Sequence, residues 1–258
     1  GLPEALCTVT AVRSLVAWQP DDLAARRQQA EVMSDLAVRA GSRHFMLESR
    51  RLRVAAMLDA GDLAALDAAL ADHAALADEG FGVHRWRAAM WRTMRCLRDG
   101  QYTDAERAIA AAQELARTVG HPDTFFWFAA QQLQLRWDQD RLDELEGSVG
   151  SLVESSPAMP LWRCVLAALC ADLGRIDDAR QHVERVVADL AGVDADGANP
   201  FAALLPCAEG LASTILLADA VVAAADRARA EQLHHVLAPY AGHGVMAGPA
   251  VVFLGCVD

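Results

Sequence analysis

The sequence predicts an all-α fold: a right-handed superhelical array of about six antiparallel helix pairs. Three observations predict it. A helix–turn–helix passage at residues 97–115, turning at Gly100, returns at residues 173–187, turning at Gly174. The chain is 53% hydrophobic, much of it alanine and leucine, and 6% aromatic, which favours helices over strands. Finally, no period-two alternation persists, and no Asn-Gly or Asp-Gly pair joins two β-branched runs.

The elements follow in order. Pro3, at a first-turn position, opens a helix pair over residues 4–40 that Pro20, Asp21 and Asp22 interrupt. Gly41 and Ser42 lead to a second pair, 43–79, turning at Gly61. The break at Gly80, Phe81 and Gly82 precedes the pair 83–119, turning at Gly100. Gly120 to Asp123 introduce the pair 123–154, turning at Asp140. Pro160 opens the pair 160–191, turning at Gly174. Residues 192–200 form the longest polar loop, and the pair 201–238 turns near Ala218. Residues 239–249 are glycine-rich and irregular, and the apolar run 251–257 reads as the start of a further helix, 250–258, cut short. With no methionine at position 1, these features predict a single repeat domain excised from a longer protein.

The turns recur every 34 to 44 residues. Counting five, nine and twelve residues past each turn gives one face of the second helix. The first four triplets are Leu66, Leu70, His73; Ala105, Ile109, Ala112; Leu145, Val149, Leu152; and Ala179, Val183, Val186. His73 is the departure from an apolar or small series, and the last unit (Ala223, Arg227, Ala230) fits less well. Seven residues before the turns stand Val54, Thr93, Leu133, Ala167 and Leu211.

A turn glycine, an alanine five later and a seam of this kind resemble the tetratricopeptide repeat, a helix–turn–helix unit of about 34 residues. Several phrases also resemble the helical-repeat region of large actinobacterial signalling ATPases, which carry a LuxR-type DNA-binding or adenylate-cyclase-like domain. They lie at residues 52–62, 91–100, 162–180 and above all 237–244, before Gly255. The resemblance implies the repeat domain of an ATP-binding transcriptional or signalling regulator, with other domains of that parent among its partners. It implies no catalysis within this segment.

Composition narrows the function classes further. A net charge of −12 repels phosphate backbones and anionic lipid, so no direct nucleic-acid or membrane partner is expected. All 23 basic residues are arginine. The six cysteines lie far apart in apolar text without a Cys-x-x-Cys, which predicts reduced, buried thiols in a cytoplasmic protein. The most apolar stretch, 211–225, is short for a membrane span and is interrupted by Asp219.

The familiar chemical motifs point to bland readings. His234 and His235 are adjacent on a helix and diverge, so they make no metal site. Asp194 to Gly197 resemble a fragment of a calcium loop whose first and last ligand positions are Gly192 and Ala203. Gly242, Gly244 and Gly248 have the wrong spacing for a dinucleotide fingerprint. Asp177 and Asp178 suit a helix first turn electrostatically. No catalytic residues, metal or cofactor are therefore expected.

The candidate site is a concave groove lined by the first helix of each pair. Positions counted back from the turns are Glu48, Arg51 and Asp59; Arg87, Met90, Met94, Leu97 and Arg98; and Trp127, Gln134, Trp137 and Asp138. The sharpest set, Arg51, Arg87, Met94, Arg98, Trp127, Gln134 and Trp137, mixes cations with indoles, as a groove for a protein or small-molecule effector would. The competing reading packs the tryptophans between repeats and pairs the arginines with carboxylates. Arg53 and Arg92 occupy normally apolar positions, so each is expected to be buried beside an acidic partner. An uncapped apolar end at 251–257 predicts self-association, a homo-oligomer.

Overall fold

A computed structural model describes residues 1–16, 23–77, 82–121, 124–191, 199–207, 209–248 and 251–257. The breaks expected at Pro20 to Asp22, at Gly80 and Phe81, and at Pro122 and Asp123 lie outside these residues, as do Asp194 to Gly197 of the calcium-like loop. The described chain is all-α apart from one small hairpin. It divides into two compact units, Gly1–Leu135 with His243–Gly255, and Arg136–Gly242 with Cys256–Asp258.

The first unit holds α1 (Leu2–Val16), α2 (Leu23–Ala40), α3 (Arg43–Asp59), α4 (Leu63–Ala77), α5 (Gly82–Arg98), α6 (Tyr102–Val119) and most of α7 (Thr124–Asp138). The helices α3 and α4, and α5 and α6, join through three-residue turns and pack on each other as helical hairpins. Gly61 and Gly100 turn these hairpins at φ of 66° and 68°, a left-handed conformation that a side chain disfavours. The second unit holds α8 (Glu146–Ser155), α9 (Pro160–Asp172), α10 (Ile176–Leu190), α11 (Gly210–Ala223) and α12 (Arg227–Leu237). Its turns sit at Asp140, Gly174 and Ala225, again with positive φ.

All twelve seam positions of the four triplets are buried, His73 included, at 0% exposure. The last turn is a correction. Ala218 lies inside α11, and the chain turns at Ala225 instead. Asp226 caps α12 by accepting from the Arg229 amide, and Leu233 and Val236 form that helix's buried face. Arg53 and Arg92 are also corrections: both are exposed, because α3 and α5 bury the neighbouring residues Leu52, Val54, Trp91 and Thr93. The arginines that do enter the interior are Arg26 and Arg51, at 5% and 6% exposure, and each meets a carboxylate, Asp59 and Glu48 respectively.

The C-terminal segment corrects the sequence reading most. The described part of the helix expected at 250–258, residues 251–257, is not helical: β1 (Gly244–Ala247) pairs with β2 (Val252–Cys256) in a two-stranded sheet. The hairpin packs on α3, and Met246 and Phe253 join a core of Val54, Leu58, Leu66, Trp91 and Met94. Gly244 makes this possible. A Cβ there would stand 1.8 Å from the carbonyl oxygen of Leu58, so only a residue without a side chain lets the strand reach the helix backbone. Val251, Val252 and Val257 are buried, and the run therefore presents no free valine face of the kind that suggested self-association.

All six cysteines are free thiols; Cys7, Cys96, Cys164 and Cys170 are buried, whereas Cys207 and Cys256 are exposed. Cys207 sits in the turn before α11 and Cys256 ends β2. Among the described residues, no helix is long and apolar enough to cross a membrane.

Candidate ligand-binding site

The helices α3, α4 and α5 enclose a polar cluster. Glu48 and Arg51 are three apart on one face of α3, a spacing that brings their side chains together. Arg51 Nε donates to Glu48 Oε2 at 2.7 Å, and Arg87 Nη1, from α5, donates to Oε1 at 2.5 Å. Burial pushes the Glu48 carboxyl up, but the guanidiniums of Arg51 and Arg87 outweigh it and hold the carboxyl at about 2. Two cations thus bracket one buried anion, which satisfies groups that would be costly alone.

Three histidines flank this pair. His84 Nε2 lies 3.4 Å from His44 Nδ1 and 3.8 Å from Glu48 Oε1. Burial pushes His84 down to about 4 and His73 down to about 3, so both rings are neutral near pH 7. The His73 ring stands edge-on to Trp91, with centroids 4.6 Å apart, and neither of its nitrogens has a hydrogen-bond partner among the described residues. It fills a seam position as an aromatic would. A general acid or base works best with a pKa near the working pH, and Glu48, His73 and His84 are all held far below it. Among the described residues, no group of three or more His, Cys, Asp or Glu is placed to hold a metal ion.

Further along, α5, α6 and α7 leave a cavity of about 210 Å³. Trp86, Met90, Ile109, Ala112, Ala116, Phe125 and Phe128 give it apolar walls, and Gln113, Arg117, Thr124 and Gln131 give it polar edges. Trp127 stacks on Trp86 at 4.9 Å and 10°, and His121 adjoins both rings. Two stacked indoles make a stiff wall with little conformational freedom to lose on binding. Gln131 is 2% exposed and fixed: its Nε2 donates to the carbonyls of Met90 at 2.8 Å and Val251 at 2.9 Å. A cavity of about 150 Å³ holds benzene, so this one has room for a bicyclic aromatic or a branched aliphatic group.

The residues expected to share one groove are dispersed. Arg51 and Arg87 converge on Glu48. Met94 is 1% exposed and belongs to the core with Trp91 and Met246, so it cannot meet a ligand. Arg98 is bound to Asp99 at 2.7 Å and to Asp67 at 3.2 Å. Trp127 stands behind the cavity wall, and Gln134 is half-buried and does not line it. Trp137 and Asp138 fall in the second unit, where Trp137 Nε1 donates to Asp172 at 2.8 Å. In this arrangement Arg51, Arg87 and Arg98 pair with carboxylates, Trp127 packs on Trp86, and Trp137 bonds to Asp172.

The counting missed Trp86, Phe125, Phe128 and Gln131. A signal for two of them was present: Phe125, Phe126, Trp127 and Phe128 are consecutive, a dense aromatic run in a chain only 6% aromatic. Such a run exceeds what one helix face can bury, so some of it had to line an opening or meet solvent. Comparison with family models, curated proteins and solved structures found no match for this chain.

Proposed function

We propose that this chain is a non-enzymatic sensor and interaction domain, a tetratricopeptide-like α-solenoid of a bacterial transcriptional or signalling regulator. In this reading it takes an effector into the cavity between α5, α6 and α7 and passes the binding energy to its parent protein. The regular recurrence of turn and buried seam supports the repeat assignment. The observation that carries the sensor role is the cavity itself, walled by Trp86 on its stacked partner and edged by polar groups that can orient a ligand. The locked ionisable groups of the neighbouring cluster favour structural over catalytic work.

A thermal-shift screen against aromatic metabolites, nucleotides and short peptides tests this. One aromatic or branched apolar class should raise the melting temperature, and Ala116→Leu, which fills the cavity from α6, should abolish the rise. A flat screen, or a rise unchanged in Ala116→Leu, overturns it. The second reading is a scaffold without a small-molecule ligand. It is favoured by the exposed stripe Leu2, Leu6, Val9 and Val12 on α1, at 42% to 74% exposure.

A further inference from the structure

A second opening lies on another face of α5. It is a groove of about 880 Å³ with α5 as its floor and α4 and α6 as its banks. Arg85, Arg92 and Arg95 project from α5 into it, and Arg107 joins from α6. Arg85 and Arg92 are seven residues apart, with Ala88 and Ala89 between them at the spacing that shares one helix face.

The groove gathers unpaired cations in an acidic chain. The net charge is −12, and carboxylates are abundant enough that Arg50, Arg98, Arg141, Arg175 and Arg229 all find one. Arg85, Arg92 and Arg95 are exposed, and none of them makes an ion pair among the described residues. The groove's own carboxylate, Asp104, is already engaged by Arg107. Three unpaired guanidiniums along one cleft focus a positive field there.

We infer that this groove docks an acidic helical segment of a partner protein. Ten residues of α5 separate Arg85 from Arg95, a length of about 15 Å, or three helical turns. A single phosphate or carboxylate spans a fraction of that length and leaves at least one arginine unanswered. A helix of three turns with three carboxylates at the matching spacing answers all three. The banks and floor are built largely of small side chains, Ala71, Ala74, Ala88, Ala89, Ala108 and Ala111, which let a second helix approach closely. A cylinder about 10 Å across and 15 Å long occupies about 1,200 Å³, so the groove takes most of such a helix. A nucleic-acid strand is disfavoured because its charge continues past the groove along a chain whose net charge is −12. This site is separate from the aromatic cavity and does not depend on the effector reading.

Fluorescence anisotropy with two labelled peptides of about sixteen residues tests the inference. One carries glutamates at positions i, i+7 and i+10 on an alanine–leucine helix; the other carries glutamines there. The glutamate peptide should bind at least about tenfold more tightly, and Arg85→Ala/Arg92→Ala/Arg95→Ala should remove that preference. All three arginines are exposed, so the triple variant should keep its melting temperature, which a thermal melt verifies. Equal binding of the two peptides overturns the inference, as does an unchanged preference in the triple variant. Displacement of the peptide by millimolar inorganic phosphate, or tighter binding of a single-stranded oligonucleotide, replaces it with a small-anion or nucleic-acid site.

Discussion

The side-chain amide of Gln131 donates to the carbonyl of Val251 at 2.9 Å, across 120 positions of sequence. The same nitrogen donates to the Met90 carbonyl at 2.8 Å, so one buried amide staples the C-terminal hairpin to α5 through α7. Gln131→Leu removes both bonds, so the buried carbonyls of Met90 and Val251 lose their side-chain donor. The expected loss is about 2–4 kcal/mol in denaturant unfolding, with faster hydrogen exchange concentrated in residues 244–256.

Gly244→Ala should be costlier than an ordinary glycine substitution. The added methyl would stand 1.8 Å from the Leu58 carbonyl oxygen, which is backbone of α3 and has nowhere to move. The hairpin must lift off the helix, exposing Met246 and Phe253. A loss of about 3 kcal/mol or more is expected in the same unfolding assay.

Ala225 offers the opposite experiment. Its φ of 55° is a conformation that glycine adopts freely, and it turns the chain between α11 and α12 as Gly174 does between α9 and α10. Ala225→Gly should raise stability by about 0.5–1 kcal/mol, strain relief outweighing the added freedom of the unfolded chain. Calorimetry would show it as a small upward shift in melting temperature.

Glu48→Gln keeps the shape of the side chain and removes its charge. Arg51 and Arg87 are then left facing each other in a nearly dry site. The expected cost is about 3–5 kcal/mol, and it should shrink when Arg87→Met is combined with it, a coupling that a double-mutant cycle reads directly.

Acid should weaken the first unit along a defined path. His73 and His84 have folded-state values near 3 and 4, below the ordinary 6.5, so the unfolded chain takes up protons first as pH falls. Their contribution is complete above pH 6.5 and drains away between 6.5 and those lower values, at about 1.4 kcal/mol per pH unit per histidine. Glu48, held at about 2 against an ordinary 4.5, adds a loss of the same sign below pH 4.5. His73→Phe keeps the edge-on packing against Trp91 and removes one titrating ring, so it should flatten the melting-temperature profile between pH 4 and 6.5.

Much of the helix framework could be read from the sequence because turns leave local marks. Gly61, Gly100 and Gly174 announce a left-handed residue, and the seam that follows each one obeys helical spacing. Asp140 and Ala225 adopt the same conformation without glycine; at Ala225 no local mark announces the turn, and the expected turn at Ala218 lies seven residues before it. Arg53 and Arg92 were assigned inward because counting from a turn fixes the side chain's direction only to within a residue, and one residue rotates it by about 100°. The hairpin escaped because a short apolar run has no period to distinguish strand from helix; its length, Gly248 before it and Gly255 within it were the available cue. The cavity escaped for a different reason. Its walls come from three helices, and the gap between them is a property of packing that no single stretch encodes.

The placement of β1 and β2 in the first unit also sets a timetable. That unit is discontinuous: Gly1–Leu135 leaves the ribosome first, and His243–Gly255 follows only after Arg136–Gly242 has been made. At about 5–20 residues per second, translation delays the closing strands by about 5–20 seconds. Throughout that interval α3 waits with Val54 and Leu58 uncovered by the hairpin, so in the living cell an earlier-made segment is completed by one synthesised more than a hundred residues later.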